Sequence, residues 1–205
     1  MKTSARRSSV RRRPRQRRAL ETVEAILDSV TRVLKREGAE AITTNRIAEV
    51  AGVSIGSVYQ YFPDKRAILV ALHERHIAEV DRMIESKLVE NAAASLEGLV
   101  RALIEAMIDA HAIDPELHEL LMTHVPHKAD GSRDFASRLH GAFRLAISSR
   151  TTKPRIRRDI DEIVFVVANM VDALSHAAVL RRPSNVSLSA AKEEAVRAVM
   201  AYLRV

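Results

Sequence analysis

One short segment near the N-terminus carries side chains that can recognise both the base edges and the phosphates of a nucleic acid. Gln60 can form a bidentate pair of hydrogen bonds with adenine, and Ile55 can contact a thymine methyl group. Tyr59 and Tyr61 each offer a flat apolar ring with a hydroxyl group for a phosphate oxygen. Lys65 lies in the first turn of a predicted helix, where the helix dipole disfavours a cation. A phosphate bound there would relieve this misfit.

Such side chains need a helix that presents them on an outer face, and the local pattern predicts one. Thr43 or Thr44 is placed to cap a short helix that Gly52 closes. A three-residue turn beginning at that glycine leads into a second short helix over residues 54–62. Pro63 ends the second helix, because proline fits the first turn of a helix and not its interior. Two short helices joined by a tight turn form a helix-turn-helix, whose second helix enters the major groove of DNA.

The aromatic residues of this segment are predicted to divide between surface and core. The chain holds only three tyrosines and four phenylalanines. Two of the tyrosines and one of the phenylalanines nevertheless fall within four consecutive residues. We predict that Phe62 points inward with Val53 and Val58, whereas Tyr59 and Tyr61 face outward. A helix of about eight residues is too short to bury all three rings on one side. The alternative, in which all three rings belong to the core, stays open.

The surrounding segment, TTNRIAEVAGVSIGSVYQYFPDKRAIL, resembles the signature of the TetR (tetracycline repressor) family of bacterial transcriptional regulators. The resemblance covers about residues 20–72. It implies four phosphate contacts, from Thr44, Tyr59, Tyr61 and Lys65. It also implies five base-facing positions, at Ser54, Ile55, Gly56, Ser57 and Gln60. With Thr43 and Arg46 added, these residues form the predicted DNA-binding set. Tyr61 stands where many relatives have histidine.

Gly56 supports this interpretation for a physical reason. A glycine in the middle of a helix costs about 1 kcal/mol relative to alanine. Close approach of the helix to DNA would justify that cost.

The basic charge is concentrated in the N-terminal third of the chain. Residues 1–75 hold 16 Lys and Arg against 8 Asp and Glu, whereas residues 76–205 hold 17 against 18. Nine of the 16 lie in residues 1–18, which contain no acidic residue. We predict that this segment is a disordered basic arm that binds a polyanion. A solvated tail without a partner is the alternative.

The remainder of the chain shows helical periodicity and no strand-like alternation, so the fold class is predicted to be all-α. Expected helices span about 63–90, 95–113, 115–125, 133–150, 159–181 and 189–204. The predicted organisation is a basic arm, a three-helix DNA-binding domain with the helix-turn-helix, and a helical ligand-binding and dimerisation domain. The basic arm spans residues 1–18, the DNA-binding domain spans residues 19–70, and the ligand-binding and dimerisation domain spans residues 71–205.

The helix over residues 159–181 is apolar on nearly all sides and needs cover on two of them. With the helix over 189–204, it is predicted to form a four-helix interface in a homodimer. A charge at Val167 or Val171 should then break the dimer. The alternative is a helix buried within one chain. The polar residues within the helix over residues 159–181 argue against a membrane span.

The C-terminal helices are predicted to hold an unidentified small-molecule effector. Its candidate contacts are Met107, His111, Met122, His140, Phe143, Phe165, Asn169 and His176. Two histidine pairs at helical spacing, His73 with His76 and His124 with His127, lack a convincing third ligand, so no metal site is predicted. We also predict no catalytic residue and no cofactor.

These features together predict a ligand-responsive DNA-binding repressor that binds a palindromic double-stranded operator as a homodimer in the cytoplasm. One alternative is a DNA-binding architectural or adaptor protein of the same fold without a small-molecule ligand. A second alternative is an all-α enzyme in which the N-terminal helices merely pack. The basic arm argues against an enzyme, because it would serve no purpose in catalysis on a small substrate.

Overall fold

The computed structural model describes residues 17–125, 130–150 and 159–204. Over these residues the chain forms nine α-helices and no strand, which confirms the predicted all-α class. The helices are α1 (Arg17–Glu37), α2 (Thr44–Ala51), α3 (Ile55–Tyr61), α4 (Lys65–Glu90), α5 (Leu96–Ala112), α6 (Pro115–His124), α7 (Asp130–Arg150), α8 (Ile160–Leu180) and α9 (Leu188–Arg204). A short 3-10 turn, Ala39–Ala41, follows α1. The predicted basic arm lies outside the described residues, except for its last two arginines, which begin α1.

The helix boundaries follow from local capping. The Thr43 side chain accepts a hydrogen bond from the backbone N–H of Arg46 at 3.2 Å, which makes Thr43 the N-cap of α2. Gly52 closes α2 with a φ of 71°, a left-handed conformation that glycine adopts without strain. Ser54 then caps α3 by accepting from the N–H of Ser57 at 3.1 Å. These contacts explain why the motif was predictable to within one or two residues.

The chain divides into two compact units. The first contains residues 17–75 and 116–125 of the described chain, that is α1 to α3, the first part of α4 and most of α6. Its core joins buried residues of every one of these helices, among them Ile26, Val30, Ile47, Val58, Phe62, Ile68 and Leu121. The predicted N-terminal domain of residues 19–70 omits α6, because a contact between distant segments leaves no local sequence signal.

The second unit contains residues 76–115, 130–150 and 159–204 of the described chain. Here α8 packs against α5, α7 and α9. Fully buried residues from these helices form the centre of its core, among them Leu103, Ile104, Phe143, Val167, Val171 and Val199.

The burial of α8 corrects one sequence-based prediction. Val167 and Val171 are both 0% exposed and belong to the core of a single chain, so they do not face a partner. Three neighbouring helices cover that side of α8, which the periodicity of α8 alone could not show. The opposite face is open, with Phe165 60% exposed. By length and composition α8 could cross a membrane, and its buried side belongs to this core.

Candidate DNA-binding surface

The outer face of α3 presents most of the predicted base-facing residues to solvent. Ile55, Gly56 and Gln60 are exposed on this face, and Ser54 is exposed at the helix N-cap. Ser57 is half-buried, and its hydroxyl lies 2.8 Å from that of Ser54. The buried side of α3 is held by Val58, which is fully buried in the first unit. Because Val58 anchors the buried side of α3 in the core, the exposed side of this short helix can enter a groove of DNA.

The two tyrosines of α3 do not share a face. Tyr59 is 44% exposed, whereas Tyr61 is 8% exposed and belongs to the core cluster with Phe62. Residues two apart in an α-helix point about 200° apart, since each residue turns the helix by about 100°. The prediction that Tyr61 faces outward beside Tyr59 is therefore wrong. The prediction that Phe62 points inward is confirmed, because its side chain is fully buried.

Thr44, Tyr59 and Lys65, three of the four predicted phosphate contacts, line one open cleft of about 320 Å³. The Thr44 hydroxyl lies 3.3 Å from the Tyr59 hydroxyl. Lys65 is exposed as the first residue of α4, and Asp64 caps that helix by accepting from the N–H of Ala67 at 2.8 Å. Two hydroxyl groups and an ammonium group around one opening are the donors that a phosphate oxygen needs.

Arg46 has a role inside the protein that the sequence did not indicate. Its guanidinium donates to both carboxylate oxygens of Glu37, at 2.7 to 3.1 Å, and pairs with Glu49 at 2.6 Å. The hydrogen bond with Glu37 is the main reason why the pKa of Arg46 is raised, and it lowers the pKa of Glu37 in return. The contact ties the end of α1 to α2. A phosphate would have to compete with two carboxylates for this side chain.

The protein itself does not require a glycine at position 56. A Cβ atom added to Gly56 would lie 3.8 Å from the Ser54 hydroxyl oxygen, an ordinary van der Waals distance. The backbone there has no positive φ. Any need for glycine at this exposed position therefore comes from something that approaches α3 from outside.

The residues predicted to contact an effector are only partly brought together. Met107, His111 and Phe143 are buried in the core of the second unit. His140 and His176 are half-buried in the same unit.

The other three predicted effector contacts lie elsewhere. Phe165 and Asn169 are on the exposed face of α8, where the Asn169 amide donates to the carbonyl oxygen of Phe165 at 2.7 Å. Met122 is on α6 and belongs to the first unit. These three positions do not belong to the buried core that contains Met107, His111 and Phe143, and their contact with an effector stays a prediction.

Two family models match the chain. The model described as bacterial regulatory proteins, tetR family, matches residues 26–72. The model described as tetracyclin repressor-like, C-terminal domain, matches residues 95–203. The first match covers the end of α1, all of α2 and α3, and the start of α4.

Several curated proteins share part of the sequence. The nucleoid occlusion factor SlmA of Actinobacillus pleuropneumoniae serotype 5b is 33% identical over 111 residues, which cover 54% of this chain and 50% of that protein. The HTH-type transcriptional repressor AcnR of Corynebacterium efficiens is 28% identical over 138 residues, 67% of this chain and 70% of that protein. The chain thus spans about half the length of the SlmA relatives that it matches.

Solved structures share the fold over most of the chain. A TetR-family transcriptional regulator from Streptomyces coelicolor superposes with a TM-score of 0.62 at 23% identity, covering 89% of this chain and 98% of that one. The fatty acid degradation regulator FadR from Bacillus halodurans gives a TM-score of 0.65 at 17% identity, covering 87% and 94%.

Proposed function

Since the chain belongs to the tetR family of bacterial regulatory proteins, we propose that it binds double-stranded DNA and regulates transcription. The observation that carries the proposal is the exposed face of α3 beside the cleft formed by Thr44, Tyr59 and Lys65. In this proposal α3 enters the major groove, and the cleft holds a backbone phosphate next to it. The proposed activity is binding and regulation in the cytoplasm, without catalysis.

The residues of the surface divide into two roles. Gln60 and Ile55 project from the exposed face of α3 and would read base edges. Thr44, Tyr59 and Lys65 would bind phosphate and set the orientation of the helix on the duplex. The buried Tyr61 and the ion-paired Arg46 are left out of the direct contacts that we propose.

This division predicts different effects for Gln60→Ala and Lys65→Ala. We expect Gln60→Ala to relax the preference at one or two positions of each half-site, by about 1–3 kcal/mol. We expect Lys65→Ala to weaken all sequences about equally and to lower the slope of log K against log salt by about 1. Selection of bound sequences from a random DNA library, followed by titration at several salt concentrations, measures both effects. An unchanged sequence preference for Gln60→Ala with an altered one for Lys65→Ala would reverse the two roles.

Gly56→Ala should raise the stability of the protein and weaken its binding to DNA. The added methyl group fits within the chain, so the helix gains about 0.5–1 kcal/mol. The same methyl group would stand between α3 and the DNA, and we expect at least a tenfold loss of affinity, about 1.4 kcal/mol.

The matched control for this change is Gly141→Ala. A Cβ atom at Gly141 meets nothing within 4 Å, and the position lies in the middle of α7. This variant should gain similar stability and keep the wild-type affinity for DNA. Thermal melting and DNA titration of both variants provide the comparison. Equal DNA affinity of the two alanine variants would mean that α3 does not approach DNA closely at Gly56.

We further propose that the protein acts as a homodimer on an inverted-repeat operator. The exposed face of α8 around Phe165 and the exposed small residues Ala198 and Ala201 of α9 offer a surface for a second copy. These two helices pack against each other in the second unit, so their open faces can be covered together. A two-fold dimer presents two copies of α3, which accounts for an operator with two symmetric half-sites.

Repression controlled by a small effector is the form of regulation that we propose. The relatives include a protein named as a transcriptional repressor, AcnR, and residues 95–203 match a tetracyclin repressor-like C-terminal domain. Such control requires that the effector binds more tightly to the state that does not bind DNA.

A second candidate function follows from the relatives named nucleoid occlusion factors. In that case the chain would be a DNA-binding architectural or adaptor protein that binds another protein and no small-molecule effector. Genome-wide mapping of bound DNA separates the two candidates. A few sites at promoters support the regulator, whereas many sites far from promoters support the adaptor.

A further inference from the structure

Helix α2 carries Thr44 of the phosphate cleft on a narrow apolar face. The helix has eight residues, of which Ile47 and Ala48 are buried. A narrow apolar face sets the rotation of a helix about its own axis less firmly than a broad one. The N-terminus of α2 nevertheless has to stay aligned with α3, since the Thr44 hydroxyl lies 3.3 Å from that of Tyr59 at the cleft.

The ion pair between Glu37 and Arg46 joins two charges that each stand at an unfavourable end of their own helix. Glu37 is the last residue of α1, where the helix dipole favours a cation. Arg46 is in the first turn of α2, where the dipole favours an anion. Neither residue type is therefore explained by its own helix. Each is explained by the other, because the carboxylate and the guanidinium compensate both misfits at once.

The geometry of the pair restrains the direction of the Arg46 side chain as well as its distance. Its Nε and Nη2 atoms donate to the carboxylate oxygens of Glu37 at 2.7 to 3.1 Å. Its Nη1 atom lies 2.6 Å from a carboxylate oxygen of Glu49. Such paired donation needs the planar guanidinium fork, which a lysine ammonium lacks. The side chains of Arg46 and Glu37 are only 36% and 29% exposed, so they are partly shielded from water.

This restraint reaches the phosphate cleft through the first turn of α2. The backbone N–H of Arg46 donates to the Thr43 hydroxyl at 3.2 Å. Thr43 and Thr44 both line the cleft. At the other end of the contact, Glu37 follows the buried Leu34, which anchors the last turn of α1 in the core of the first unit. The ion pair therefore connects a helix of the core to the residues that we propose hold a phosphate.

We propose that Glu37 is a positioning residue for DNA binding, which acts through Arg46 to set the orientation of α2 and of the phosphate cleft. Neither of the two side chains touches DNA in this role. The inference rests on the proposed binding of double-stranded DNA and adds to it a residue outside the helix-turn-helix. The rival role for Arg46 is a direct contact with a phosphate, for which the Glu37 carboxylate would be a competitor.

The sign of one substitution separates these two roles. Loss of a negative charge from a DNA-binding surface ordinarily strengthens binding to DNA. We nevertheless expect Glu37→Gln to weaken the binding of every sequence about five- to tenfold, because the cleft loses its alignment. The slope of log K against log salt should stay nearly unchanged. If Arg46 contacted a phosphate, the same variant would bind more tightly with a slope steeper by about 1, and that result would overturn the proposal.

A double variant tests whether the two residues act as one unit. Arg46→Gln alone should also weaken DNA binding. Glu37→Gln and Arg46→Gln together should bind no more weakly than Arg46→Gln alone, since both changes break the same link. Losses of affinity that multiply would mean that the two residues act independently, which contradicts a shared positioning role.

A second readout needs no DNA. The protein is labelled with 3-fluorotyrosine, which gives one fluorine resonance for each of its three tyrosines. Tyr59→Phe assigns the resonance of the cleft. Glu37→Gln should shift the Tyr59 resonance, because the neighbouring α2 changes its orientation, and should leave that of Tyr202 in the second unit in place.

Glu40→Gln is the matched control. Glu40 is an exposed carboxylate in the 3-10 turn after α1 and is not part of the ion pair. This variant loses the same charge near the same helix end. It should keep the wild-type fluorine spectrum and bind DNA at least as tightly as the wild type.

Thermal melting shows whether each variant is folded, and we expect little change, since exposed ion pairs contribute little to stability. Arg46→Lys keeps the charge without the paired donation and should weaken DNA binding as Glu37→Gln does. A folded Glu37→Gln protein that keeps the Tyr59 resonance, or binds DNA as tightly as Glu40→Gln, would show that Glu37 positions nothing. A wild-type protein that binds no DNA would remove the proposed function. The fluorine resonance would then decide by itself whether Glu37 orients the cleft.

Discussion

The variant Val167→Asp should fail to fold in its second unit, whereas Phe165→Asp, two residues earlier on the same helix, should fold as a monomer. Val167 is 0% exposed in the core formed with α5, α7 and α9. A carboxylate there would be buried without a partner, and we expect a loss of roughly 4 kcal/mol or more. Domains are stable by only about 5–15 kcal/mol, so this change removes a large part of the total.

Phe165→Asp, in contrast, is expected to leave the fold intact, because the Phe165 side chain is 60% exposed in the single chain. An aspartate at this position costs little within the monomer, but it would place two like charges in the proposed dimer interface. Loss of the dimer removes the second half-site contact, and simultaneous binding of two sites typically contributes about 100- to 10,000-fold in affinity. We therefore expect operator binding to fall at least about 100-fold while the helical signal is retained.

Circular dichroism, sedimentation and DNA titration together measure these outcomes. Val89→Asp is the control for a surface charge, because Val89 is 78% exposed on α4. That variant should stay folded, dimeric and able to bind DNA. A folded Val167→Asp protein would contradict the buried position of α8. A Phe165→Asp protein that sediments as a dimer would exclude this face of α8 from the interface.

The second large effect is expected at Phe62, which is fully buried in the first unit. Phe62→Ala should destabilise the protein by about 3–5 kcal/mol, the usual cost of removing a buried phenyl ring. The residue is the C-cap of α3 and packs in the same cluster as Val58 and Ile47. Its loss should therefore release the helix that we propose reads DNA, and specific binding should disappear.

Tyr59→Ala is the control that separates this loss of structure from a loss of contact. Tyr59 stands three residues earlier on the exposed face, where it lines the proposed phosphate cleft. Its removal should leave the melting temperature nearly unchanged and weaken DNA binding for all sequences. Chemical denaturation measures the stability of both variants, and DNA titration measures their affinity. If Tyr59→Ala destabilised the protein as much as Phe62→Ala, the tyrosine would belong to the core.

Local signals explain why the helix-turn-helix could be predicted so closely. Threonine and serine N-caps, a glycine C-cap and a helix-breaking proline act within a few residues of their own position. The structure has Thr43, one of the two threonines predicted for this role, as the N-cap of α2, and Gly52 closes α2 in the left-handed conformation. Ser54, predicted as the first residue of the second helix, is the N-cap of α3. Gln60, a base-facing position implied by the family resemblance, is exposed in the structure.

Tyr61 shows where such reasoning fails. Apolar and polar residues are mixed along the short helix α3, so the sequence pattern alone did not determine whether the Tyr61 ring faces solvent or the core. It is 8% exposed and belongs to a core cluster of the first unit that also contains residues of α1, α4 and α6. The same holds for Val167, whose covered side depends on three other helices.

The amino-acid sequence by itself therefore determined the approximate helix boundaries and the helix-turn-helix, because capping and periodicity are local. Only the tertiary structure decided which side of α8 is buried and that α6 packs with the N-terminal helices. The physical reason is that these contacts join residues far apart in the chain. Their closeness depends on how several helices share one core, and no single helix encodes that arrangement.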